Sequence, residues 1–213
     1  MTRIYYICIQ RLIWIIVKPF FSLFFCIKVY DPFDMRKRVK APLIIASSHK
    51  GFFDMFFLES SFPLFSGIHP VRFMAETKRL GSPVLQFLVY IRIIPIIYIL
   101  FGAFPSGKGL GVERAIELPA RLLNRRQTIM IFPEGRRIFE DELGEFRQGA
   151  AALAIKTGIP ILPVSLRIQK LGNKKCIIIH FGKELFFEKD TSYEGATSIL
   201  RENISQLFFT KHA

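Results

Sequence analysis

Pro42-Leu43-Ile44-Ile45-Ala46-Ser47-Ser48-His49-Lys50-Gly51-Phe52-Phe53-Asp54 is the stretch on which the reading of the fold turns. Residues 43–46 are apolar without alternation, which is the pattern of a strand covered on both faces. Two small serines lead out of it, and Asp54 stands where a helix over 54–59 begins. Similar short apolar runs follow at 71–74, 93–97, 128–132, 161–165 and 176–180. Helical-looking stretches at 83–90, 112–124 and 148–157 separate them. This alternation predicts an α/β layered fold, a largely parallel sheet flanked by helices. Pro119 lies inside 112–124, so that helix is expected to start near the proline or to kink there. The tail after Asp190 reads as a closing helix with Ile199, Ile204, Leu207 and Phe208 turned inward. Segment 84–104 is apolar enough for a membrane, but Arg92 and Pro95 interrupt it, and it reads as a helix, a turn and a buried strand.

The chain has 213 residues, with 30 Lys and Arg against 17 Asp and Glu, a formal charge of +13. Its length suits one principal domain. Apolar residues make up 51% and the mean hydropathy is +0.32, so the protein is basic and greasy together. That combination points to an anionic membrane surface. Nucleic acid is not expected as a partner, because there is no zinc spacing, RNP-like run or recognition-helix pattern.

Residues 1–30 read as a membrane-anchoring helical segment, with the remaining domain over 31–213. Residues 4–30 are almost wholly apolar, yet Arg11, Lys18 and Pro19 break them below the length of an uninterrupted span. No small-residue cleavage site follows, which argues against a signal peptide. Arg11 and Lys18 share a helix face, and Tyr5, Tyr6 and Trp14 suit the headgroup layer. An in-plane or re-entrant anchor fits best; a tilted span and a buried core helix are the alternatives. The basic run Arg36-Lys37-Arg38 in the link over 31–40 is either a solvated turn or a headgroup contact. Cys8, Cys26 and Cys176 are odd in number and widely spaced, suggesting neither a disulfide framework nor a metal cluster.

His49 and Asp54 stand five positions apart. If the intervening chain curls, Asp54 accepts a hydrogen bond from Nδ1, and Nε2 is left to take a proton from a hydroxyl. The plain alternative is a structural contact at a helix start. A second stretch, Ile131-Phe132-Pro133-Glu134-Gly135-Arg136-Arg137, ends another apolar run in a turn. Arg137 can grip a phosphate with two parallel bonds, and Glu134 can hold that arginine or a substrate hydroxyl. Pro-Glu-Gly alone is a common turn.

The two stretches in this order resemble the glycerolipid acyltransferase family, the lysophospholipid acyltransferases. His49-x4-Asp54 is similar to its first motif and Phe132-Pro133-Glu134-Gly135-Arg136-Arg137 to its third. Ile159-Pro160-Ile161-Leu162-Pro163-Val164 resembles the fourth, and Phe146-Arg147-Gln148-Gly149-Ala150 the segment after the third. The resemblance runs from about Leu43 to Arg167. It implies transfer of a fatty acyl group from acyl-CoA or acyl carrier protein to a glycerol hydroxyl at a membrane's cytoplasmic face, with no bound cofactor. In the fullest form the acceptor is 1-acyl-glycerol-3-phosphate and the product phosphatidate. His49 is then the general base, Asp54 orients it, and Glu134, Gly135, Arg136 and Arg137 hold the acceptor. Where the family's second motif ends in arginine, Tyr98 or a neighbour stands here, and Arg136 replaces the usual threonine. The phosphate then falls to Arg136, Arg137 and Lys108, or the acceptor is a different one, such as an ornithine lipid, a hopanoid or a lysophospholipid. A membrane-binding module without turnover is the alternative outside enzymes.

His69, before Pro70, is expected on the surface, His180 in the core or at a sheet edge, and His212 in the tail. None has metal-ligand spacing, so no metal is expected. Met74-Ala75-Glu76-Thr77-Lys78 also resembles a family segment, with core packing or an acyl tunnel as its roles. The Phe-rich runs 20–25 and 52–57 read as burial before lipid contact.

Overall fold

The run at 43–46 forms β2 (Leu43–Ser47), with all five residues buried. It lies inside a seven-stranded sheet in the computed structural model, which describes residues 3–75, 83–105, 107, 109–139, 141–172 and 174–210. Across the sheet the order is β1 (Phe25–Tyr30), β7 (Lys174–Phe181), β6 (Ile161–Leu171), β2, β5 (Thr128–Ile131), β3 (Val71–Ala75) and β4 (Ala103–Pro105). Among the described strands only β6 and β7 pair antiparallel; every other pairing is parallel. The fold is α/β, a mostly parallel sheet flanked by helices.

Two cores explain why the strands do not alternate. Leu43 and Ile45 join the cluster of Phe21 from α1 (Arg3–Phe24) and Met55, Phe57 and Leu58 from α3 (Asp54–Ser61). Ile44 and Ala46 join the opposite cluster, with Ile116 and Leu123 of α6 (Val112–Asn124), Leu153 of α7 (Gly149–Thr157) and Leu200 of α8 (Tyr193–Phe209). Each large side chain so buried contributes about 1.5–3 kcal/mol relative to exposure.

Four expectations need correction. The strand read at 93–97 is a helix, α5 (Ile93–Leu100), packed against α4 (Pro83–Tyr90). Pro95 sits in the first turn of α5, where its missing N–H has no helical partner to lose. The strand beside β3 is β4 instead, entered through Gly102 at φ +95°. Residues 25–30, read as part of the anchor, are β1, an edge strand that sets Cys26 directly opposite Cys176 of β7. Ile199 of α8 is 45% exposed, and Leu200 takes the inward place beside Ile204 and Phe208. Helix α6 begins at Val112 and contains Pro119 rather than starting near it. The link at 31–40 holds a short helix, α2 (Met35–Arg38), whose Arg36 pairs with Asp31 and donates to Ser61 O.

Helix α1 is fastened to the start of β3 by one side chain. Gln10 Nε2 donates to Val71 O at 2.5 Å and Phe101 O at 3.2 Å, and Oε1 accepts from Val71 N–H at 2.9 Å. Removing that amide leaves buried backbone groups unpaired, at a cost of about 1–3 kcal/mol each. Beside it lies His69, which is buried, contrary to the surface position read from its place before Pro70. Its Nδ1 is 3.4 Å from Gln10 Oε1 and 3.8 Å from Glu59 Oε1. Burial pushes the Glu59 carboxyl up to about 8, and burial aided by the Arg11 charge pushes His69 down to about 4. The pair is therefore a neutral contact at neutral pH rather than an ion pair, despite the short separation.

This cluster makes stability depend on pH from both sides. Glu59 is protonated more readily folded than unfolded, so its contribution is full below the ordinary carboxyl range and is lost as pH rises toward 8. His69 resists protonation when folded, so stability is lost as pH falls from its ordinary range toward 4. Substituting Glu59→Gln is expected to flatten the alkaline limb: denaturant midpoints between about pH 6.5 and pH 8, where His69 no longer titrates, vary less than in the wild type. An unchanged slope would show that Glu59 does not carry this limb.

Candidate active site

Strands β2, β3, β4 and β5 run in one direction, so their carboxyl ends open onto the same edge of the sheet. That edge is where sites form in open α/β sheets. His49 lies two residues beyond β2, and Phe132 immediately follows β5. The Ser48 hydroxyl keeps the first loop in register. It accepts from Leu166 N–H at 2.8 Å and donates to Leu166 O at 3.0 Å, extending the β2–β6 pairing past Ser47.

The curl expected between His49 and Asp54 is present. His49 Nδ1 lies 2.8 Å from Asp54 Oδ2, and the same oxygen accepts the N–H groups of Lys50 at 2.5 Å and Gly51 at 2.7 Å. Asp54 is fully buried at the start of α3, so the carboxylate is fixed on both the loop and the ring. The imidazole stacks on Phe132, with centroids 4.1 Å apart and planes 16° from parallel. Packing on one side and a carboxylate at Nδ1 leave Nε2 as the nitrogen for chemistry. The Lys50 ammonium is turned elsewhere, donating to Glu142 O and lying 4.7 Å from the Phe208 ring.

Glu134 is bonded to the backbone of two loops. One carboxylate oxygen accepts His49 N–H at 2.8 Å and the other accepts Gly144 N–H at 3.0 Å. The side chain is buried, and burial raises its pKa although both bonds and the Lys50 charge pull the other way. Glu134, expected from its motif to hold substrate, lies outside the cavity lining and ties the β2 loop to the loop after β5. Ile138 N–H reinforces the join by donating to His49 O at 2.8 Å.

A cavity of about 580 Å³ opens between these loops, lined by His49, Phe52, Tyr98, Arg136, Arg137 and Arg147 among others. Its size suits one end of a small lipid. Apolar side chains of β3 and α3, Phe73, Met74 and Met55, continue the lining. On the α6 side the wall is the backbone of Gly107, where a Cβ would fall 2.6 Å from Ala115 Cα. Burial pushes the Tyr98 phenol up, and the Arg137 guanidinium works against that.

Of the residues singled out by sequence, His49, Gly135, Arg136 and Arg137 share this cavity, Asp54 stands behind His49, and Glu134 stands behind the loops. Lys108, Glu76, Thr77, Lys78 and His212 lie outside the described residues. His180 is buried in β7 and bonded to Leu207 O at 2.7 Å. Sequence reasoning gave no role to Ser48, and noticed Arg147 and Gln148 only as part of a motif-like segment. The signal for Ser48 was a small polar residue directly after a buried strand.

The family described as acyltransferase matches residues 26–167 of this chain. A probable 1-acyl-sn-glycerol-3-phosphate acyltransferase of Mycoplasma genitalium is 27% identical over 158 residues, covering 73% of this chain and 54% of that protein. A 1-acyl-sn-glycerol-3-phosphate acyltransferase of Pseudomonas aeruginosa is 27% identical over 137 residues, covering 64% and 48% respectively. The chain thus spans about half the length of the curated relatives it matches. In fold it is similar to the crystal structure of the 1-acyl-sn-glycerophosphate acyltransferase PlsC from Thermotoga maritima. The TM-score is 0.64 at 17% identity, covering 92% of this chain and 79% of that one. With a match running from the edge strand β1 through β6 and every motif of the cavity inside it, the chain belongs to the acyltransferase family.

Proposed function

We propose that the protein is a membrane-associated O-acyltransferase. It moves a fatty acyl group from acyl-CoA or acyl carrier protein to the free hydroxyl of 1-acyl-glycerol-3-phosphate, giving phosphatidate. The observation that carries the reading is His49: Nδ1 is held by Asp54 at 2.8 Å, and the ring lies in a cavity that also contains Arg136 and Arg137. Nε2 takes the proton of the acceptor hydroxyl as its oxygen bonds to the thioester carbonyl carbon. The tetrahedral adduct then expels the thiolate, which recovers the proton from the imidazolium. An ester bond replaces a thioester bond, and the reaction draws only on groups of the chain and its two substrates. The guanidiniums of Arg136 and Arg137 hold the acceptor's phosphate, and the matched relatives named for this acceptor support the same choice.

A neutral or zwitterionic lysolipid is the second reading, favoured by Tyr98 at the cavity where the family's second motif carries arginine. The two separate when lysophosphatidate and lysophosphatidylcholine are supplied with one acyl donor. Preference for lysophosphatidate is expected; preference for the choline lipid overturns the first choice. For the base, His49→Ala is expected to lower turnover at least about a hundredfold, since positioned acid–base catalysis contributes on the order of 10² to 10⁴. Near-normal turnover would remove His49 from the mechanism.

Membrane association is read from helix α1. Tyr6, Gln10 and Phe21 face the domain, and Trp14 Nε1 donates to Phe62 O at 3.0 Å, so the helix lies lengthwise along α3. Its outward stripe of Leu12, Ile15, Ile16, Phe20, Leu23 and Phe24 is exposed and apolar. That orientation supports an in-plane anchor with the stripe sunk among lipid chains, which we place on the cytoplasmic leaflet. Rings continue from it to the cavity: Phe20–Phe21, Phe21–Phe53, Phe53–Phe52 and Phe52–Tyr98 lie 5.9, 5.5, 5.3 and 6.4 Å apart. Flotation with phosphatidylglycerol vesicles tests this. The double substitution Ile16→Gln, Phe20→Gln should shift most of the protein to the unbound fraction, whereas full retention would sink the in-plane reading.

A further inference from the structure

The geometry points to Arg147 as a third guanidinium of the acceptor site, making with Arg136 and Arg137 a seat for a phosphate monoester. The inference rests on the proposed acceptor and deepens it. The motif-like segment around Arg147 assigns it no role; its position in the fold does.

Gly135 is the reason. It adopts φ +63°, a conformation that disfavours side chains. A Cβ there would fall 2.8 Å from Arg147 Nε and 3.0 Å from both Cδ and Cζ. The guanidinium therefore lies flat against the Pro133-Glu134-Gly135 turn, in space that only a glycine leaves open. The backbone of Arg147 is pinned to the same turn, its N–H donating to Pro133 O at 2.9 Å. The side chain thus leaves a pinned backbone and passes close over Gly135, beside the segment that carries Arg136 and Arg137. All three line the cavity that holds His49.

Each guanidinium offers a planar, cationic fork of donors. Three such forks match the three free oxygens and near double charge of a phosphate monoester. A phosphodiester headgroup has two free oxygens and one charge, and fills such a seat less well. Tyr98 lines the cavity without a charge, and among the described residues the cationic side chains of the lining are Arg136, Arg137 and Arg147. Arg147 is a binding and positioning residue in this scheme: it touches the acceptor's phosphate and not the reacting hydroxyl.

Two measurements test it on the full chain. For turnover of lysophosphatidate, Arg147→Gln should raise KM on the order of tenfold or more, with a smaller change in kcat, as expected for a charge-assisted bond to a bound anion. Arg147→Lys should recover part of the loss, since the charge returns without the fork. For binding without turnover, dodecyl phosphate is titrated onto His49→Ala, with and without Arg147→Gln. The affinity should fall by a similar factor. Gly135→Ala, checked by circular dichroism for retained fold, should reproduce the raised KM by displacing the guanidinium. Unchanged binding of dodecyl phosphate in the Arg147 variant, or a loss confined to kcat, overturns the inference. If the wild type ignores lysophosphatidate while dodecyl phosphate binding still depends on Arg147, the acceptor proposal falls and the phosphate seat stands.

Discussion

A buried carboxylate shared between two loops holds this site together. Glu134 accepts one backbone N–H from the loop after β2 and another from the loop after β5, and its burial means that neither bond competes with water. The parallel sheet brings those loops to one edge but leaves their separation free. The carboxylate fixes it, because a buried charge left with half its partners is costly. The position of the His49 ring over Phe132 and the opening of the cavity follow from that distance. Asp54 does the same inside the first loop, where one oxygen gathers the ring and two backbone donors.

These two carboxylates divide the labour in a way that their motifs do not announce. Asp54 acts through the imidazole, and Glu134 acts through the backbone. Both are absent from the cavity lining, whose polar side chains are one imidazole, the Tyr98 phenol, the Gln148 amide and three guanidiniums among apolar groups. Keeping anions out of the lining has an electrostatic use: a carboxylate exposed beside Arg136 and Arg137 would compete with a substrate phosphate for the same donors.

Much of the sheet was legible because its strands are buried on both faces. Leu43-Ile44-Ile45-Ala46, Thr128 to Ile131 and the run before Ser165 have no polar face to blur the pattern, and the structure sends their side chains alternately into two cores. Ile93-Ile94-Pro95-Ile96-Ile97 fooled the same reading. An apolar run of that length fits a buried strand or a helix equally, and here Ile93, Ile96 and Ile99 lie exposed on α5. Residues 25–30 failed for the converse reason: they continue the apolar composition of α1, and nothing local marks the change from helix to edge strand. His69 was placed at the surface because a His-Pro pair suggests a loop. A loop it is, but α1 covers it through Gln10, a contact 59 residues distant that no local pattern contains.

The site itself was half legible. The spacing of His49 and Asp54 carries its geometry within six residues, so a hydrogen bond could be read directly. Partners supplied by the distant chain, such as Gly144 for Glu134 or Arg147 for Gly135, could not. The same long-range packing accounts for Tyr98. Its ring lies 6.4 Å from Phe52 and 6.3 Å from Phe73, on a helix whose neighbouring isoleucines are exposed. A guanidinium at that position would be stripped of water by aromatic neighbours, and among the described residues of the lining there is no carboxylate to offset the loss. The turn after β5 is the better place for positive charge: Gly135 and Arg136 are exposed there, and the glycine leaves room for another arginine to lie against it. The distribution of cations around this cavity follows from where the fold keeps water.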